Sequence, residues 1–291
     1  MRNLYFLLPF CLLNISCDKP KKSMIFTDAG FTEGIEGPAS SSNGDLYVVN
    51  FIKDGTIGRA LKGEKYVRLF LSLPEGSIGN GIRFLNDSIF YVADYKAHQI
   101  LKVNTINKVA STFAIDSNMN QPNDIAIMRN GILFASDPNW KNNTGQLWKI
   151  DKDAKTHLLE KNMGTTNGIE VSPNDEFLYV NESIQRKIWK YNLDKSGNVS
   201  NKTLFYSFKD FGLDGMRCDS VGNLYVARYD KGTIAVLSPK GELLEEIILV
   251  GKKPTNVTFG GIGFKSVFVT LQDKKWVEVF KADFRGREPF N

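Results

Sequence analysis

Residues 167–182 read NGIEVSPNDEFLYVNE, and the order of turns and strands in this stretch decides the fold. The strand candidate IEVS is followed by the turn dipeptide Asn174-Asp175 and then by a second strand that contains Tyr179. The dipeptide Asn167-Gly168 before the first strand is equally turn-like. Two such dipeptides seven residues apart cannot both close the same hairpin, so one of them is expected to have another role.

The aromatic strand recurs along the chain at nearly constant intervals. Successive aromatic positions are separated by 43 to 46 residues. Each repeat contains a short apolar strand, a polar turn, the aromatic strand and a third strand, and all but the last have a fourth; no stretch has helical periodicity. The six aromatic positions are Tyr47, Tyr91, Phe134, Tyr179, Tyr225 and Phe268.

Four short strands repeating at this interval predict an all-β fold, a six-bladed β-propeller with four-stranded blades. The last repeat lacks a fourth strand, and the N-terminal segment SMIFTDAG, residues 23–30, is the candidate to replace it. We therefore expect a ring that spans residues 24–291 and is closed by an N-terminal strand.

The first 17 residues differ in composition from the rest of the chain. One positive charge precedes a short apolar run at residues 4–13, and a small residue stands directly before Cys17. Such a run fits a signal peptide and is too short to span a bilayer. We expect a lipoprotein-type signal peptide at residues 1–17 that ends at a lipidated Cys17, then a short tether at 18–23. This predicts an exported, membrane-anchored protein of the cell envelope; an ordinary secretory signal is the alternative.

Charge and cysteine content exclude several classes of protein. Lys and Arg number 37 against 32 Asp and Glu, and the excess is spread along the chain, so no nucleic-acid groove is expected. Cys218 is the only cysteine beyond the N-terminal segment, which excludes an internal disulfide or a cysteine-based metal site in the mature domain. We expect Cys218 to be buried in a strand. The expected partner is a small-molecule substrate, with a membrane contacted only through the lipid anchor, and the protein is expected to be a monomer.

A polar residue precedes the first strand of every repeat, at the spacing of the aromatic positions. Since a strand of six or seven residues spans roughly 20 Å, the two ends of this strand lie on opposite faces of the propeller. Asn174-Asp175 is then the hairpin, and Asn167-Gly168 is the entry to the strand that lines the channel. Circular symmetry predicts that all six entry residues meet around the axis at one depth. They are Glu36, Asn80, Asn123, Asn167, Asp214 and Asn256.

Two carboxylates and four amides around one axis predict a cation site. Oxygen ligands of this kind suit hard cations, so Ca²⁺ is the first expectation, with Mg²⁺, Mn²⁺ or Zn²⁺ as alternatives. The competing interpretation is that Asn-Gly and Asp-Gly are only turn formers at strand entries. Glu36 and Asp214 interrupt the Asn pattern, which favours the metal site.

The motifs at these positions resemble the senescence-marker-protein (regucalcin) and gluconolactonase family, one per blade and in the family's order. The resemblance implies a six-bladed propeller with a divalent cation in its channel, often Ca²⁺, and hydrolysis of sugar lactones or related esters. The similar segments are EGIEGP, QPNDIAIMRNGILFASDP, TNGIEVSPNDEFLYVNES, GLDGMRCDSVGNLYVA and GKKPTNVTFGG.

Matched motif by motif, the resemblance implies that Glu36, Asn167 and Asp214 bind the metal and that Asn123 lies near both metal and substrate. Supporting contacts to the substrate are assigned to Asn80 and Asn256. The first blade departs from the family pattern, because EGP is followed by ASSSNGD without the Trp usual there. The family's substrate-reading Arg and Glu positions do not map onto this sequence.

The implied chemistry is metal-assisted hydrolysis of a cyclic ester, with Asp214 as general base. No Ser–His pair is expected, because His98 follows an aromatic strand and His157 lies on an outer strand, and this argues against the paraoxonase variant of the fold. One rival function is a non-catalytic propeller that binds a ligand or partner and has a structural metal. The other is an enzyme of the strictosidine-synthase type, which works without the metal.

Two local features complete the predictions. Residues 137–140 end an aromatic strand and open a loop that either overhangs the channel or is a plain surface loop. Trp148 and Trp189 occupy corresponding third-strand positions and are expected to pack between blades.

Overall fold

A computed structural model of the protein describes residues 20–287, so the predictions for residues 1–19, including the lipidated Cys17, lie outside it. Six antiparallel sheets of four strands are arranged in a ring, and the innermost strands of neighbouring blades contact each other. This confirms the six-bladed β-propeller. Within residues 20–287 the only helical element is the 3₁₀ turn Ile262–Phe264. No helix in this part of the chain has the length and apolar character needed to cross a membrane.

Each blade runs from the channel outward. The first contains β2 (Phe31–Ser40), β3 (Leu46–Phe51), β4 (Thr56–Ala60) and β5 (Val67–Ser72); the second contains β6 (Gly79–Asn86), β7 (Ile89–Asp94), β8 (Gln99–Asn104) and β9 (Val109–Ile115). The third contains β10 (Ile125–Ile127), β11 (Leu133–Asn139), β12 (Thr144–Ile150) and β13 (Thr156–Met163); the fourth contains β14 (Thr166–Val171), β15 (Phe177–Glu182), β16 (Lys187–Leu193) and β17 (Val199–Ser207). The fifth contains β18 (Gly212–Cys218), β19 (Leu224–Tyr229), β20 (Thr233–Leu237) and β21 (Leu243–Ile248); the sixth contains β22 (Pro254–Gly260), β23 (Ser266–Leu271), β24 (Trp276–Lys281) and β1 (Met24–Ile25).

The N-terminal strand closes the ring, as predicted. β1 pairs antiparallel with β24, with Met24 opposite Val279. The next residue extends the contact, because the Phe26 N–H donates to the Val277 carbonyl at 2.8 Å and its ring packs edge-on against Phe268 at 4.7 Å between centroids. Backbone pairing and aromatic packing therefore both attach the start of the described chain to its last blade.

The described residues ahead of β1 pack against the fifth blade. The Ser23 N–H donates to the Ile248 carbonyl at 3.0 Å. The Lys21 ammonium lies 3.0 Å from Glu245 and 2.8 Å from Asp283. The N-terminal segment thus contacts the fifth blade as well as completing the sixth.

The repeated aromatic residues are buried between blades. Tyr47 packs edge-on against Phe84 of the second blade at 5.3 Å, and Tyr225 packs against Phe259 of the sixth blade at 5.0 Å. Buried aromatic rings of this size contribute much of the apolar area of a core. The interval of 43 to 46 residues therefore corresponds to one aromatic side chain for each interface between blades.

The remaining predictions about the core also agree with the structure. Trp148 is buried in one cluster with Tyr91 and Ile100 of the second blade. Trp189 is partly buried against the core shared by the third and fourth blades. Cys218 is buried on β18, and it is the free cysteine of the described residues.

The residues after β24 cross the face opposite the strand entries. The Arg287 N–H donates to the Cys218 carbonyl at 3.0 Å, and its guanidinium donates to the Ile127 carbonyl at 2.9 Å. The same guanidinium pairs with Asp175 at 2.7 Å, and only 4% of the side chain is exposed. This arginine therefore connects the third, fourth and fifth blades and covers that end of the channel.

Candidate functional site

A cavity of about 360 Å³ opens at the channel end where the innermost strands begin. It brings together all four candidate metal ligands and two of the three positions assigned to substrate contact, Asn80 and Asn123. The predicted residues that line it are Glu36, Asn80, Asn123, Asn167 and Asp214.

A β-bulge at the start of the inner strand positions these side chains. The pairing of β14 shifts register between Thr166 and Ile169, on either side of Asn167. The pairing of β18 shifts between Leu213 and Met216, on either side of Asp214. A bulge releases a residue from the ladder and re-aims its side chain. Similar shifts occur near the start of β2, β6 and β22, whereas β10 pairs without one and Asn123 lies just before that strand.

The glycine after the entry residue is required by close packing between blades. A Cβ on Gly168 would lie 2.4 Å from the carbonyl oxygen of Asp214 in the next blade. Gly168 does not have a positive φ, so the tight turn inferred from Asn-Gly is not the reason for glycine here. Asn181 fixes the same junction, because it accepts from the Gly168 N–H at 3.1 Å and donates to the Asp214 carbonyl at 2.6 Å.

Glu36 and Asp214 are acidic residues that line the same cavity, with Glu36 buried and Asp214 half-buried. Burial, and then the nearby Asp124 carboxylate, raise the pKa of Glu36 to about 7, although the Gly37 N–H and the Asn256 amide favour its ionised form. Burial, and then the charge of Glu36, raise the pKa of Asp214 well above its usual value. Two carboxylates so close together are unfavourable at neutral pH unless a positive charge compensates them.

Two amide oxygens at the cavity lack a hydrogen-bond partner. Oδ1 of Asn123 and Oδ1 of Asn167 are buried and unpaired, and no other side-chain amide oxygen of the described residues is in this state. Burial raises the pKa of Asp214 and the Asn167 amide opposes that rise, but the Asn167 oxygen itself has no partner. Buried polar atoms are normally paired, so these oxygens call for a partner.

This donor set fits a hard divalent cation. Two carboxylates and two unpaired amide oxygens are the all-oxygen ligands that Ca²⁺ takes in proteins. Residues 20–287 contain no group of three or more His, Cys, Asp or Glu side chains that could hold a metal ion. The fit therefore depends on the amides of Asn123 and Asn167 as much as on the two acids.

Asn256 lies beneath the cavity and not in its wall, so the expected common depth does not hold for this position. It is fully buried, and its amide donates to Glu36 at 3.0 Å. Its oxygen accepts from the Arg217 guanidinium at 3.3 Å and from the Val257 N–H at 2.9 Å. Because its amide is already engaged, Asn256 supports Glu36 from below. Asn80 remains in the wall and donates to a neighbouring backbone carbonyl at 3.1 Å.

Residues 35–273 match the family model described as the SMP-30/gluconolactonase/LRE-like region. The chain belongs to this family. It is 27% identical over 272 residues to a gluconolactonase of Zymomonas mobilis, covering 81% of this chain and 75% of that protein. It is 30% identical over 131 residues to a 6-deoxy-6-sulfogluconolactonase of Pseudomonas putida, covering 44% of this chain and less than half, 45%, of that relative.

The fold of this SMP-30/gluconolactonase-like chain also matches solved structures. One is a calcium-binding protein, regucalcin, from Agrobacterium tumefaciens, with a TM-score of 0.76 and 18% identity over 92% of this chain and 98% of that one. At this identity the likeness concerns the fold. It agrees with the propeller derived from the repeat.

In this family member the cavity walls include residues that were not predicted. Four of them stand four positions after the aromatic residue of their repeat: Tyr95, Ser183, Tyr229 and Gln272. This shared offset was the signal that could have found them. Trp140 also lines the cavity, so the loop at residues 137–140 helps to shape it. Asp137 fixes the adjoining segment by accepting from the Asn120 and Gln121 N–H groups at 2.9 and 2.6 Å.

A layer of buried charges under the cavity floor was also missed. Asp124 is fully buried and lies 3.2 Å from Arg83 and 3.4 Å from Arg217. Arg83, Arg217 and Glu170 each stand three positions after the entry residue of their repeat. Burial raises the pKa of Asp124 despite its arginine neighbours. Two arginines and two carboxylates therefore form a second layer of charge below the acidic cavity.

Neither histidine belongs to the site, in agreement with the sequence. His98 is exposed and contacts the Asn120 carbonyl, and His157 lies 2.7 Å from Asp151 on the outer side of the third blade. Neither residue lines the cavity.

Proposed function

We propose that this protein is a divalent-metal-dependent lactone hydrolase whose active site is the cavity at the channel entry. The observation that carries the proposal is the joint presence of the Glu36–Asp214 pair and the unpaired amide oxygens of Asn123 and Asn167. The lactonases among its relatives support a sugar lactone or related cyclic ester as the substrate.

The cation would be held by Glu36, Asp214, Asn123 and Asn167, and their oxygen donors favour Ca²⁺ over soft metals. When bound there, a divalent cation supplies positive charge that keeps both carboxylates ionised and polarises the lactone carbonyl. Glu36 is held in place by the Asn256 amide at 3.0 Å. This bond therefore fixes the Glu36 carboxylate whether or not a substrate is bound.

Asp214 acts as general base in this proposal. It takes a proton from water while the water oxygen bonds to the carbonyl carbon. The bond between that carbon and the ring oxygen then breaks, and the proton is returned to the departing alkoxide to give a hydroxy acid. The Asn181 amide donates to the Asp214 carbonyl at 2.6 Å. This bond fixes the backbone that carries the proposed base.

The residues that line the cavity orient the substrate. Asn80 and Asn123 offer amide groups near the floor, and Tyr95, Trp140 and Tyr229 offer aromatic surfaces above it. Aromatic faces pack well against the C–H surface of a sugar ring while hydroxyl groups meet the amides.

The test is hydrolysis of aldonolactones by purified protein with Ca²⁺, Mg²⁺, Mn²⁺ or Zn²⁺, before and after chelation. We expect metal-dependent turnover, and we expect Asp214→Asn to lower kcat by about 10²- to 10⁴-fold because the general base is lost. Asp230→Asn is the matched control, since Asp230 is an exposed carboxylate outside the cavity lining.

Equal turnover by the wild type and Asp214→Asn would contradict the catalytic proposal. If both proteins then still bound the metal in calorimetry, the remaining function would be a non-catalytic binding propeller with a structural cation.

A further inference from the structure

A second, smaller chamber lies in the channel beneath the layer of buried charges. Its volume is about 50 Å³. Arg83 and Arg217 of the second and fifth blades line it, together with Ser40 at the end of β2 and Arg287 from the C-terminal segment. None of the candidate metal ligands lines this chamber, so it is separate from the proposed active site.

Arg217 has one guanidinium nitrogen without a partner. Its Nη1 donates to the Met216 carbonyl at 2.7 Å and to Asn256 at 3.3 Å, and its Nε lies 3.8 Å from Glu170. Nη2 is buried and unpaired, and only 8% of the side chain is exposed. Since the side chain lines the chamber, Nη2 is the group available to an occupant.

Ser40 presents a second unpaired group to the same chamber. Its hydroxyl is buried without a hydrogen-bond partner. A guanidinium nitrogen only donates hydrogen bonds, and a hydroxyl can donate one. An occupant that accepts from both would satisfy two buried polar groups that otherwise cost free energy.

The charges around the chamber favour an anion over a neutral acceptor. Three guanidinium groups line it, and Glu170 is the only carboxylate in the lining. Glu170 is shared by all three, at 3.6 Å from Arg83 and 3.8 Å from both Arg217 and Arg287. Asp124 and Asp175 pair with these arginines from outside the lining. Three guanidinium groups therefore face the chamber against one carboxylate, while the wider cluster, with Asp124 and Asp175, has three charges of each sign.

We propose that the lower chamber binds one monoatomic anion, chloride in the first instance, between the Arg217 guanidinium and the Ser40 hydroxyl. A volume of about 50 Å³ accommodates a single halide or one to two water molecules. The bound anion accepts from donors of the first and fifth blades and so connects these two blades beside the C-terminal segment that covers the channel. This function does not depend on whether the protein hydrolyses lactones.

Bromide is the first probe, because its anomalous scattering distinguishes it from water. Crystals of the full chain soaked in sodium bromide are expected to show an anomalous peak within hydrogen-bond distance of Arg217 and Ser40. Density of water strength without an anomalous signal would overturn the proposal.

Chloride titration tests whether the site matters in solution. Sodium chloride replaces sodium methanesulfonate at constant ionic strength, and we expect a saturable rise in Tm of about 2–4 °C. Ser40→Ala is expected to reduce the rise and Arg217→Gln to abolish it. Arg68→Gln, which removes an exposed arginine, is expected to retain it.

If Arg217→Gln does not fold, the chloride titrations of the wild type and of Ser40→Ala test the proposal without it. A bromide peak combined with a Tm that does not respond to chloride would mean an adventitious ion only, and the proposal would be wrong.

Discussion

Glu36 is a candidate ligand whose ionisation is opposed by the fold. Burial and Asp124 raise its pKa to about 7 from an ordinary value of 4.5. A carboxyl group with a raised pKa stabilises the folded state fully below its unfolded pKa and loses that contribution as the pH rises through the folded pKa. In the metal-free protein, Glu36 therefore makes folding less favourable between about pH 4.5 and pH 7.

Glu36→Gln should remove this dependence. We expect the free energy of unfolding of the chelated wild type to fall by up to ~3 kcal/mol relative to Glu36→Gln between pH 4.5 and pH 8. Urea denaturation of both proteins in EDTA measures the difference, which includes the part of the Asp214 pKa rise that the Glu36 charge causes.

The control is Glu33→Gln, because Glu33 lies at the rim of the same cavity and 79% of its side chain is exposed. It should keep the wild-type pH slope. Adding Ca²⁺ should stabilise the wild type and Glu33→Gln but not Glu36→Gln. Parallel pH slopes for all three proteins would show that Glu36 is not the destabilising group.

At the scale of secondary-structure elements, the inner strands β14 and β18 are each constrained by the bulge near the start and by the glycine that follows the entry residue. At Gly168 there is no room for a methyl group, because its Cβ would meet the Asp214 oxygen at 2.4 Å and the Asn181 amide at 2.7 Å. The constraint lies between two blades and not within one. It therefore links the position of Asp214, the proposed general base, to the packing of the neighbouring inner strand.

Gly168→Ala should move Asp214 and weaken the site. We expect a loss of about 1–3 kcal/mol in stability from overpacking and a drop of about 10²-fold in kcat/KM from the displaced base. Gly212→Ala, on the same strand as Asp214, is the matched control, because the nearest atom to its Cβ would be 3.6 Å away. A Gly168→Ala enzyme with wild-type kinetics and metal affinity would refute the coupling between these strands.

The sequence predicted the strands and most of the cavity because each blade repeats the same local pattern. Entry residues and aromatic positions keep one interval, so symmetry alone brought Glu36, Asn167 and Asp214 together. The charged layer was missed because the bulge shifts the alternation, and a residue at an odd offset such as Arg83 then faces the channel. Asn256 was misplaced because symmetry cannot show that its amide is engaged by Glu36 and Arg217.

At the scale of the whole molecule, ring closure depends on a short strand, on Phe26 and on hydrogen bonds of the residues that follow. One of these bonds runs from the Thr27 N–H to the Val277 carbonyl at 3.2 Å. β1 has only two residues, Met24–Ile25, so Phe26 supplies much of the attachment through its contact with Phe268 and its bond to Val277. Closure could be predicted because the sixth repeat lacked a strand. The position of the C-terminal segment could not be predicted, because no local pattern in the sequence indicates the three distant partners of Arg287.

Phe26→Ala should loosen the closure. We expect a loss of about 2 kcal/mol in the free energy of unfolding, since the ring is only partly buried. Urea denaturation measures this loss, and limited proteolysis should cut first near residue 26. Ile25→Ala, on the same strand but 43% exposed, should change stability by less than about 0.5 kcal/mol. Equal effects of the two substitutions would mean that the ring of Phe26 does not secure the closure.

The pairing of Met24 with Val279 also sets an order of events for folding. The first five blades are each made of consecutive strands and can form hairpin by hairpin, whereas the sixth must bring together the two ends of the described chain. Contacts between such distant residues form slowly because of the entropy lost on closing the loop. Until then, an open arc exposes the edges of its first and last blades, where a second copy can pair. Substitutions at the closure should therefore raise aggregation during refolding even when the finished ring remains stable.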